Sequence, residues 1–318
     1  MEKVNIGVDI GGMSLKAGLV NKEGKILYKE TIKTDVNKGD KYFLECLHTL
    51  IANLIKYAKN NSLEVNGIGL GVPGIVNNDL KTMEYAPNLK IENLSLKDAL
   101  KDFNLPFSLS NDANCAALAE QKFGIAKGYK NVILLTLGTG VGGGIVIDNN
   151  LFEGTSGQGA ELGHMVIRLN GRKCGCGRKG CFEAYASASA LLRLTKEEMK
   201  KNPRSLMWEY ADFNLNNVNG LTSFECAKKG DLSANNVVNK YVYYLGEGIL
   251  NFCNIFRPEV VVLGGGVSNQ KEFLISKVKK YLEENHYGFK KTRSVDVLIA
   301  SLGNDAGIIG AASLISVE

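Results

Sequence analysis

Apolar and polar residues alternate with strand-like and helix-like periods along the chain, and the changes of period divide it into elements. Apolar runs at residues 4–8 and 14–20 flank a glycine turn, which predicts a β-hairpin, and a third strand is expected near 25–33. From Phe43 to Ala58 apolar residues recur every three or four positions, which predicts a long amphipathic helix. A hairpin followed by such a helix is typical of an α/β domain.

The elements predicted next are shorter. A strand should end at residue 72, and a short helix capped by Asn93 or Ser95 should follow it. Residues 107–110 are predicted to be a strand, and residues 113–123 a helix. These elements would complete a first domain.

The second half of the chain begins with the same strand, glycine turn and strand pattern as the first half. Residues 131–137 have a strand pattern, 138–144 a glycine-rich turn and 144–148 another strand pattern, as in the N-terminal hairpin. We interpret this similarity as a weak internal repeat, which predicts two related α/β domains facing one another. The remaining predicted elements are a helical excursion at 194–220, a helix at 233–256, a strand at 259–266, a helix at 269–284, a strand at 295–301 and a last helix after Asn304.

The composition of the chain is that of an ordinary globular protein. Of its 318 residues 45% are apolar and 22% are charged, and no apolar run approaches the ~18 residues that a membrane-spanning helix needs. The net charge of +5 is small, and the lysines are interspersed with acidic residues, which indicates a solvated surface and no nucleic-acid partner. The N-terminal residues enter a strand at once and lack the pattern of a signal peptide, so a cytoplasmic protein is expected.

One segment, residues 161–183, concentrates the side chains that bind metals. It holds the ligand set of a closed tetrahedral zinc site, namely His164, Cys174, Cys176 and Cys181. Taken singly, each of these would be explained as a small buried hydrophobe or a core histidine. Three cysteines in a polar loop favour zinc, and glycines at 171, 175, 177 and 180 allow the tight folding it needs. The other cysteines are scattered singly, which argues against a disulfide framework.

Three glycine clusters lie at the ends of predicted strands, at 11–12, 138–144 and 264–266. The second matches G-x-G-x-x-G, but a dinucleotide fingerprint must open a helix and here a strand follows. Each cluster alone is equally well explained as a tight hairpin or bulge. Together they predict backbone amides that cradle a polyphosphate, with paired glycines permitting positive φ and close approach of a ligand.

Asn111 and Asp112 lie between a predicted strand and a predicted helix. Either residue is equally well explained as an ordinary helix N-cap. The helix dipole favours the ionised carboxylate there, which makes Asp112 a weak base. Phosphoryl transfer tolerates a weak base, because the acceptor hydroxyl mainly has to be oriented and loses its proton late. Capping and catalysis are therefore compatible.

These motifs together resemble the ROK family of sugar kinases (repressors, open reading frames, kinases), and the sequence is most similar to its bacterial glucokinases. The resemblance extends over nearly the whole chain. It rests on DIGG-x-x-x-K at 9–16, GVPG at 71–74, NDAN at 111–114, LGTGVGGG at 137–144, E-x-G-H at 161–164, C-x-C-G-x-x-G-C-x-E at 174–183 and LGGG at 263–266.

The resemblance implies an α/β fold of two actin-like (ribonuclease H-like) domains with a cleft between them and a zinc-stapled loop. The N-terminal domain would span 1–115 and be joined by the C-terminal helix 304–318. The C-terminal domain would span 116–303 and carry the zinc loop 161–183. A sugar would bind in the cleft.

The resemblance also implies roles for individual residues. Asp112 would be the catalytic base on a sugar hydroxyl, and His164 would use one ring nitrogen for zinc and the other for the sugar. The implied sugar-binding residues are Gly74, Asn88, Asn111, Asp112, Glu161, His164 and Glu183. The residues implied to bind ATP with Mg²⁺ are Asp9, Gly11, Gly12, Ser14, Lys16, Gly138, Thr139, Gly140, Gly142, Gly264, Gly265 and Gly266.

The first turn departs from the family pattern at Met13, where threonine is usual. A thioether cannot donate a hydroxyl hydrogen bond to a phosphate, and neighbouring Ser14 would point to the opposite side if it lies on a strand. Weakened ATP affinity is therefore expected.

The function predicted from this resemblance is ATP-dependent phosphorylation of a hexose, above all of glucose to glucose 6-phosphate in glycolysis. N-acetylmannosamine, N-acetylglucosamine, allose or fructose are alternative substrates, because carboxylates that bind hydroxyls do not distinguish epimers. A sugar-responsive repressor is less expected, since the first motif begins at residue 9 and leaves little room for a DNA-binding segment. A sugar-binding protein without turnover is a third alternative. Family members are commonly homodimers, and the zinc would serve to fix the sugar-binding loop.

Overall fold

The computed structural model describes residues 1–288 and 291–316, so the last two residues of the predicted helix 304–318 lie outside the described part. The strands are β1 Glu2–Ile10, β2 Ser14–Asn21, β3 Ile26–Lys33, β4 Leu63–Val72, β5 Ile75–Asn77, β6 Thr82–Ala86, β7 Ile91–Ser95, β8 Phe107–Asn111, β9 Val132–Leu137, β10 Val141–Ile147, β11 Asn150–Leu151, β12 Val260–Gly264 and β13 Asp296–Ile299. The α-helices are α1 Gly39–Asn60, α2 Lys97–Leu100, α3 Asp112–Lys122, α4 Glu183–Ala186, α5 Ala188–Lys201, α6 Leu206–Tyr210, α7 Thr222–Lys228, α8 Leu232–Phe256, α9 Glu272–Asn285 and α10 Ala306–Ala312.

A five-stranded sheet with the order β3-β2-β1-β4-β8 forms the first part of the chain. The predicted hairpin is confirmed, since β1 and β2 pair antiparallel and Asp9 lies opposite Lys16. Strands β4 and β8 continue the sheet in parallel. The predicted amphipathic helix is also confirmed as α1, whose residues from Phe43 to Ala58 at three- and four-residue spacing are buried in the same core.

A second five-stranded sheet has the order β11-β10-β9-β12-β13. Strand β12 pairs in parallel with both β9 and β13. The two sheets have the same strand order. In each, the first three strands in sequence lie side by side in reverse order, and the next two strands of the sheet follow them in parallel. This shared order confirms the internal repeat inferred from the two glycine turns.

A small three-stranded antiparallel sheet, β5-β6-β7, was not predicted from the sequence. Its strands are too short for their alternation to stand out. Asn93 was wrongly predicted as a helix cap and lies within β7 with a φ of 53°. The helix that follows is only the one turn α2, and Ser95 Oγ accepts a long hydrogen bond from Lys97 N at 3.4 Å.

By their own contacts the residues form two compact units. The first comprises residues 1–130, 144–160 and the chain from Ser301 onward, and the second comprises 131–143 and 161–300. Helix α3 belongs as a whole to the first unit, because it packs against α10 through Ala119 and Ile309. The division after residue 115 into two actin-like domains stays a prediction.

Helix α10 lies directly on the first sheet because two glycines make room for it. A Cβ on Gly7 would collide with the carbonyl oxygen of Ile308, and a Cβ on Gly69 with that of Ala311. Both glycines are central residues of neighbouring strands, where a side chain would hold the helix away. Close approach therefore explains why β1 and β4 both carry glycine at this level.

Several predicted elements of the second half have shifted limits. The helical excursion at 194–220 is composed of the end of α5, helix α6 and a short 3₁₀ segment at 215–217. Helices α8 and α9 lie where helices were predicted, within three residues at each end. Among the described residues no helix is both long enough and apolar enough to cross a membrane.

Candidate functional site

The corner between β8 and α3 brings three of the predicted sugar-binding residues together in the first unit. Asn111 is the N-cap, since its Oδ1 accepts a hydrogen bond from Ala113 N at 2.9 Å, and its Nδ2 donates to Gly74 O at 3.0 Å. Asp112 is the first residue of the helix, and its Oδ1 also accepts from Ala113 N, at 2.8 Å. The N-cap of α3 is therefore Asn111, and the Asp112 carboxylate lies at the N-terminus of the same helix.

Glycine is required at position 74. Its φ of 137° lies in the region that side chains rarely adopt, and a Cβ would collide with Tyr85 O. Asn88 lies against a different part of the same unit, where its carbonyl oxygen is 3.3 Å from the position of a Cβ on Gly12.

The first glycine turn, which joins β1 to β2, is closed by a hydrogen bond from Gly11 N to Ser14 O at 3.0 Å. Met13 is 84% exposed, and its carbonyl accepts from Thr34 N at 3.0 Å. Within residues 1–288 and 291–316, the N–H groups of Gly12 and Met13 have no protein acceptor. Two consecutive amides are thus available to an anion.

The carboxyl group of Asp9 lies at the end of β1, before this turn. Burial raises its pKa, and the neighbouring Lys16 ammonium opposes the rise. A Cβ on Gly307 would lie 2.8 Å from Asp9 Cγ, so the start of α10 covers the carboxyl group. This role of Gly307 could not be predicted, because it depends on the return of α10 to the first sheet.

The second glycine turn, which joins β9 to β10, also contains two consecutive N–H groups that no protein acceptor binds in the described part of the chain. Gly138 N donates to Gly140 O at 3.1 Å, and Gly142 N donates to Thr136 Oγ1 at 3.2 Å. In the described part of the chain the N–H groups of Thr139 and Gly140 have no protein acceptor. Among the residues of this turn that were predicted to contact a nucleotide, Thr139 and Gly140 are therefore the ones whose N–H groups could donate to a phosphate.

The glycines that begin these two turns do not serve a left-handed backbone conformation. Neither Gly11, Gly12, Gly138 nor Gly140 has a positive φ, so that part of the sequence interpretation was wrong. A Cβ on Gly140 would collide with the Glu183 carboxylate. A Cβ on Gly138 would meet nothing within 4 Å, so close approach explains Gly140 and not Gly138.

The third glycine cluster follows β12. Gly265 has a φ of 81°, and a Cβ there would lie 2.7 Å from the backbone of Leu137. The cluster opens a 3₁₀ helix at Gly266–Gln270, and α9 begins only at Glu272. Gly264 is buried, and a Cβ there would contact Ala300 at 3.5 Å, whereas Gly266 is exposed and a Cβ there would meet nothing within 4 Å.

The four predicted metal ligands come together in the second unit. Their donor atoms all lie within 4.8 Å of one another. His164 Nδ1 is 3.7 Å from Cys174 Sγ, and Cys176 Sγ is 3.6 Å from Cys181 Sγ. A tetrahedron with zinc–sulfur bonds of about 2.3 Å has edges of about 3.8 Å, so the cluster fits a zinc ion.

The loop reaches this geometry through left-handed glycines. Gly177 and Gly180 have φ values of 93° and 87°, and a Cβ on Gly180 would collide with Arg168 O. Burial raises the pKa of the Cys174 thiol to about 12. A thiolate at this position therefore needs a cation beside it.

The predicted sugar-binding residues of the second unit lie beside this cluster. Burial raises the pKa of Glu161, His164 opposes the rise and Glu183 adds to it, so the three side chains share one environment. Glu183 Oε1 accepts from Cys174 Sγ at 3.4 Å. Its other oxygen, Oε2, accepts from Val141 N at 3.0 Å. His164 directs Nδ1 toward the sulfur atoms, which leaves Nε2 for another partner.

Comparison with known proteins gives this arrangement a context. The model of the ROK family matches residues 5–318. The chain belongs to the ROK family. The glucokinase of Streptomyces coelicolor is 35% identical over 98% of this chain and 97% of its own length. The xylose repressor of Bacillus subtilis is 30% identical over 98% of this chain and 76% of its own length.

A solved structure shows the fold of a ROK relative. The ROK glucokinase of Streptomyces griseus, crystallised with glucose and AMPPNP, superposes with a TM-score of 0.80 at 34% identity and covers 98% of both chains. The predicted fold class is confirmed, since this chain has the mixed α/β, actin-like two-domain fold of ROK sugar kinases. Glucokinases among the relatives support a sugar kinase.

The sequence did not predict the roles of two carboxylates near the ROK motifs, the buried Glu120 and the half-buried Glu153. Glu120, which is fully buried on α3, accepts hydrogen bonds from Ile125 N, Ser301 N and Leu302 N. Glu153 accepts a short hydrogen bond of 2.5 Å from Ser110 Oγ, next to Asn111. An acidic residue in an otherwise apolar helix face was the available signal for Glu120, and Glu153 had none.

The stability of the protein is expected to respond to Glu153 with a defined pH dependence. Burial raises the pKa of Glu153 above its ordinary value of 4.5, and the Ser110 hydrogen bond opposes this. A carboxyl group with a raised pKa stabilises the folded state when protonated, and the benefit is lost as pH rises through its folded pKa. Glu153→Gln keeps an acceptor for Ser110, so its melting temperature should exceed that of the wild type at neutral pH and converge with it near pH 4.5.

Thermal unfolding from pH 4 to pH 8 measures this difference. The exposed Glu92→Gln on β7 is the matched control and should follow the wild-type curve at every pH. If the two curves of Glu153→Gln and wild type ran parallel over the whole range, the burial of an ionised Glu153 would not be a cost to folding.

Proposed function

We propose that this ROK protein phosphorylates a hexose with ATP, and that its substrate is glucose, converted to glucose 6-phosphate. The observation that supports this best is the corner at Asn111 and Asp112. There a carboxylate stands on the first residue of a helix while the preceding asparagine performs the capping. The likeness to a glucokinase that binds glucose and AMPPNP adds to it.

In the proposed reaction Asp112 orients the 6-hydroxyl of the sugar and accepts its proton as the bond to the γ-phosphorus forms. The paired amides of Gly12 and Met13 and of Thr139 and Gly140 hold phosphate oxygens and stabilise their charge. Asp9 would hold a Mg²⁺ ion, which would neutralise the charge of the phosphates when bound. As that bond forms, the bond from the γ-phosphorus to the oxygen shared with the β-phosphate breaks, and ADP leaves. The proton ends on Asp112, and the phosphoryl group ends on the sugar oxygen.

The remaining sugar contacts are proposed from the family motifs. They are Gly74, Asn88, Asn111, Glu161, His164 and Glu183. A zinc ion on the His/Cys cluster would have four protein ligands and no open position, so it would stiffen the loop and take no part in the chemistry. The carboxylates among these residues would accept hydrogen bonds from the hydroxyls of a sugar. The choice of glucose rests on the glucokinases among the relatives.

A panel of sugars tests the proposal. Glucose, N-acetylmannosamine, N-acetylglucosamine, allose and fructose are each supplied with ATP, and ADP release is measured by a coupled assay. We expect glucose to give the highest kcat/KM. A higher value for another sugar would leave a sugar kinase and overturn glucose as its substrate.

A sugar-responsive regulator is the second candidate, and the xylose repressors among the relatives are the observation that favours it. Calorimetric titration with sugar and the coupled ADP assay together separate the two, because a regulator or a binding protein would bind sugar in the titration and release no ADP in the assay. The homodimer expected from the family resemblance stays a prediction.

Replacing Met13 with threonine is expected to lower the KM for ATP. The side chain is 84% exposed in the first turn, so the change should cost little stability. A hydroxyl can donate to a phosphate oxygen where a thioether cannot, and a hydrogen bond to a charged group is worth roughly tenfold in affinity. Steady-state kinetics at saturating sugar measure the effect, with the exposed Leu232→Thr as control. An unchanged KM for ATP would contradict the expectation.

A further inference from the structure

The start of helix α5 holds the second glycine turn by its carbonyl groups. Ala188 N donates to Gly138 O at 2.8 Å. Ser189 Oγ donates to Thr139 O, also at 2.8 Å. Both carbonyls face the helix start, and both bonds lie within the second unit.

These two bonds determine where the free amides point. A peptide group is planar and trans, so its N–H points away from its own C=O. The Gly138 carbonyl shares its plane with the Thr139 N–H, and the Thr139 carbonyl shares its plane with the Gly140 N–H. The N–H groups of Thr139 and Gly140, which lack a protein acceptor, therefore point away from α5, because the carbonyl of each of these peptide groups accepts a hydrogen bond from the start of α5.

A third bond fixes the other side of the turn. Glu183 Oε2 accepts from Val141 N, and the lack of a side chain on Gly140 lets that carboxylate approach. Glu183 begins α4, which leads within a few residues to α5. The segment 183–189 therefore holds three consecutive peptide groups of the turn and leaves two N–H groups directed away from it.

We propose that segment 183–189 positions the second glycine turn for the phosphates of a nucleotide, with Ser189 aiming the Gly140 amide. Ser189 is a positioning residue, since its hydroxyl bonds to the turn. Donation to a carbonyl also polarises the same peptide group and strengthens its N–H as a donor. This inference rests on the proposed function and deepens it, because it assigns a nucleotide role to residues outside the glycine motifs.

Ser189→Ala removes the bond to Thr139 O and leaves the peptide group free to turn. Loss of one neutral hydrogen bond corresponds to roughly 2- to 10-fold in affinity. We expect the Kd for AMPPNP and the KM for ATP to rise by about that factor, while the Kd for glucose and the melting temperature stay unchanged. Ser189→Thr keeps the hydroxyl and should restore the wild-type values.

Ser276→Ala is the matched control, because Ser276 also donates its hydroxyl to a carbonyl, that of Glu272 in its own helix, away from the turn. Calorimetric titration with AMPPNP and with glucose gives both dissociation constants for each variant. Equal AMPPNP binding by wild type and Ser189→Ala would overturn this inference alone. A wild type that binds no nucleotide would overturn the proposed function as well, so the two failures are distinguishable.

Discussion

Replacing Asp112 with asparagine is expected to lower kcat by about 10²- to 10⁴-fold, the usual contribution of a positioned general base. Asparagine retains the oxygen that accepts from Ala113 N, and Asn111 continues to cap the helix. The variant should therefore keep the wild-type melting temperature and a similar Kd for the sugar. What it loses is the ability to take the proton from the hydroxyl.

Single-turnover and steady-state kinetics with ATP and glucose measure the loss. Asp98→Asn is the control, because Asp98 also lies in the first turn of a helix but is fully solvent-facing in α2. Near-normal turnover in Asp112→Asn would show that another group accepts the proton.

Removal of the Cys181 thiol is expected to abolish zinc binding and sugar binding together. Cys181 is fully buried within the cluster, and Cys181→Ala leaves only three ligands. A structural zinc ion can contribute as much free energy as the whole stability of a domain, about 10 kcal/mol. We expect wild type to bind one zinc ion per chain, the variant to bind less than a tenth of that, and hydrogen exchange across 161–183 to accelerate.

Cys253→Ala supplies the control, since Cys253 is also buried but lies in α8 outside the cluster. It should retain its zinc and its Kd for glucose. Protein stripped of metal by a chelator provides an independent version of the test. If that protein bound glucose as tightly as the wild type, the cluster would not be what fixes Glu161, His164 and Glu183.

The predictable parts of this protein are those whose cause lies within one element. The stripe from Phe43 to Ala58 repeats at the helical period, so α1 follows from its own sequence. The same holds for the His/Cys cluster, whose cysteines lie within one short loop. The corner at Asn111 was expected as well, because a capping residue acts on the next few amides.

The unpredictable parts depend on partners distant in sequence. Glu183 was predicted to bind sugar. Its hydrogen bond with Val141 N could not be predicted, because the two residues lie far apart in the sequence and no motif around Glu183 indicates the contact. Gly140 is glycine because of that carboxylate and not because of its own φ. The three short strands β5, β6 and β7 were missed since each is stabilised by its neighbours more than by its own residues.

The position of α10 has a consequence for synthesis of the chain. Gly7 on β1 and Gly69 on β4 leave the space in which α10 packs. The helix itself can form only after residues 306–312 have emerged from the ribosome. Until then one face of the nascent sheet, with Val4 to Ile10 already available, lacks its cover. The apolar residues on that face of the N-terminal sheet are therefore exposed to non-native contacts until α10 has been made.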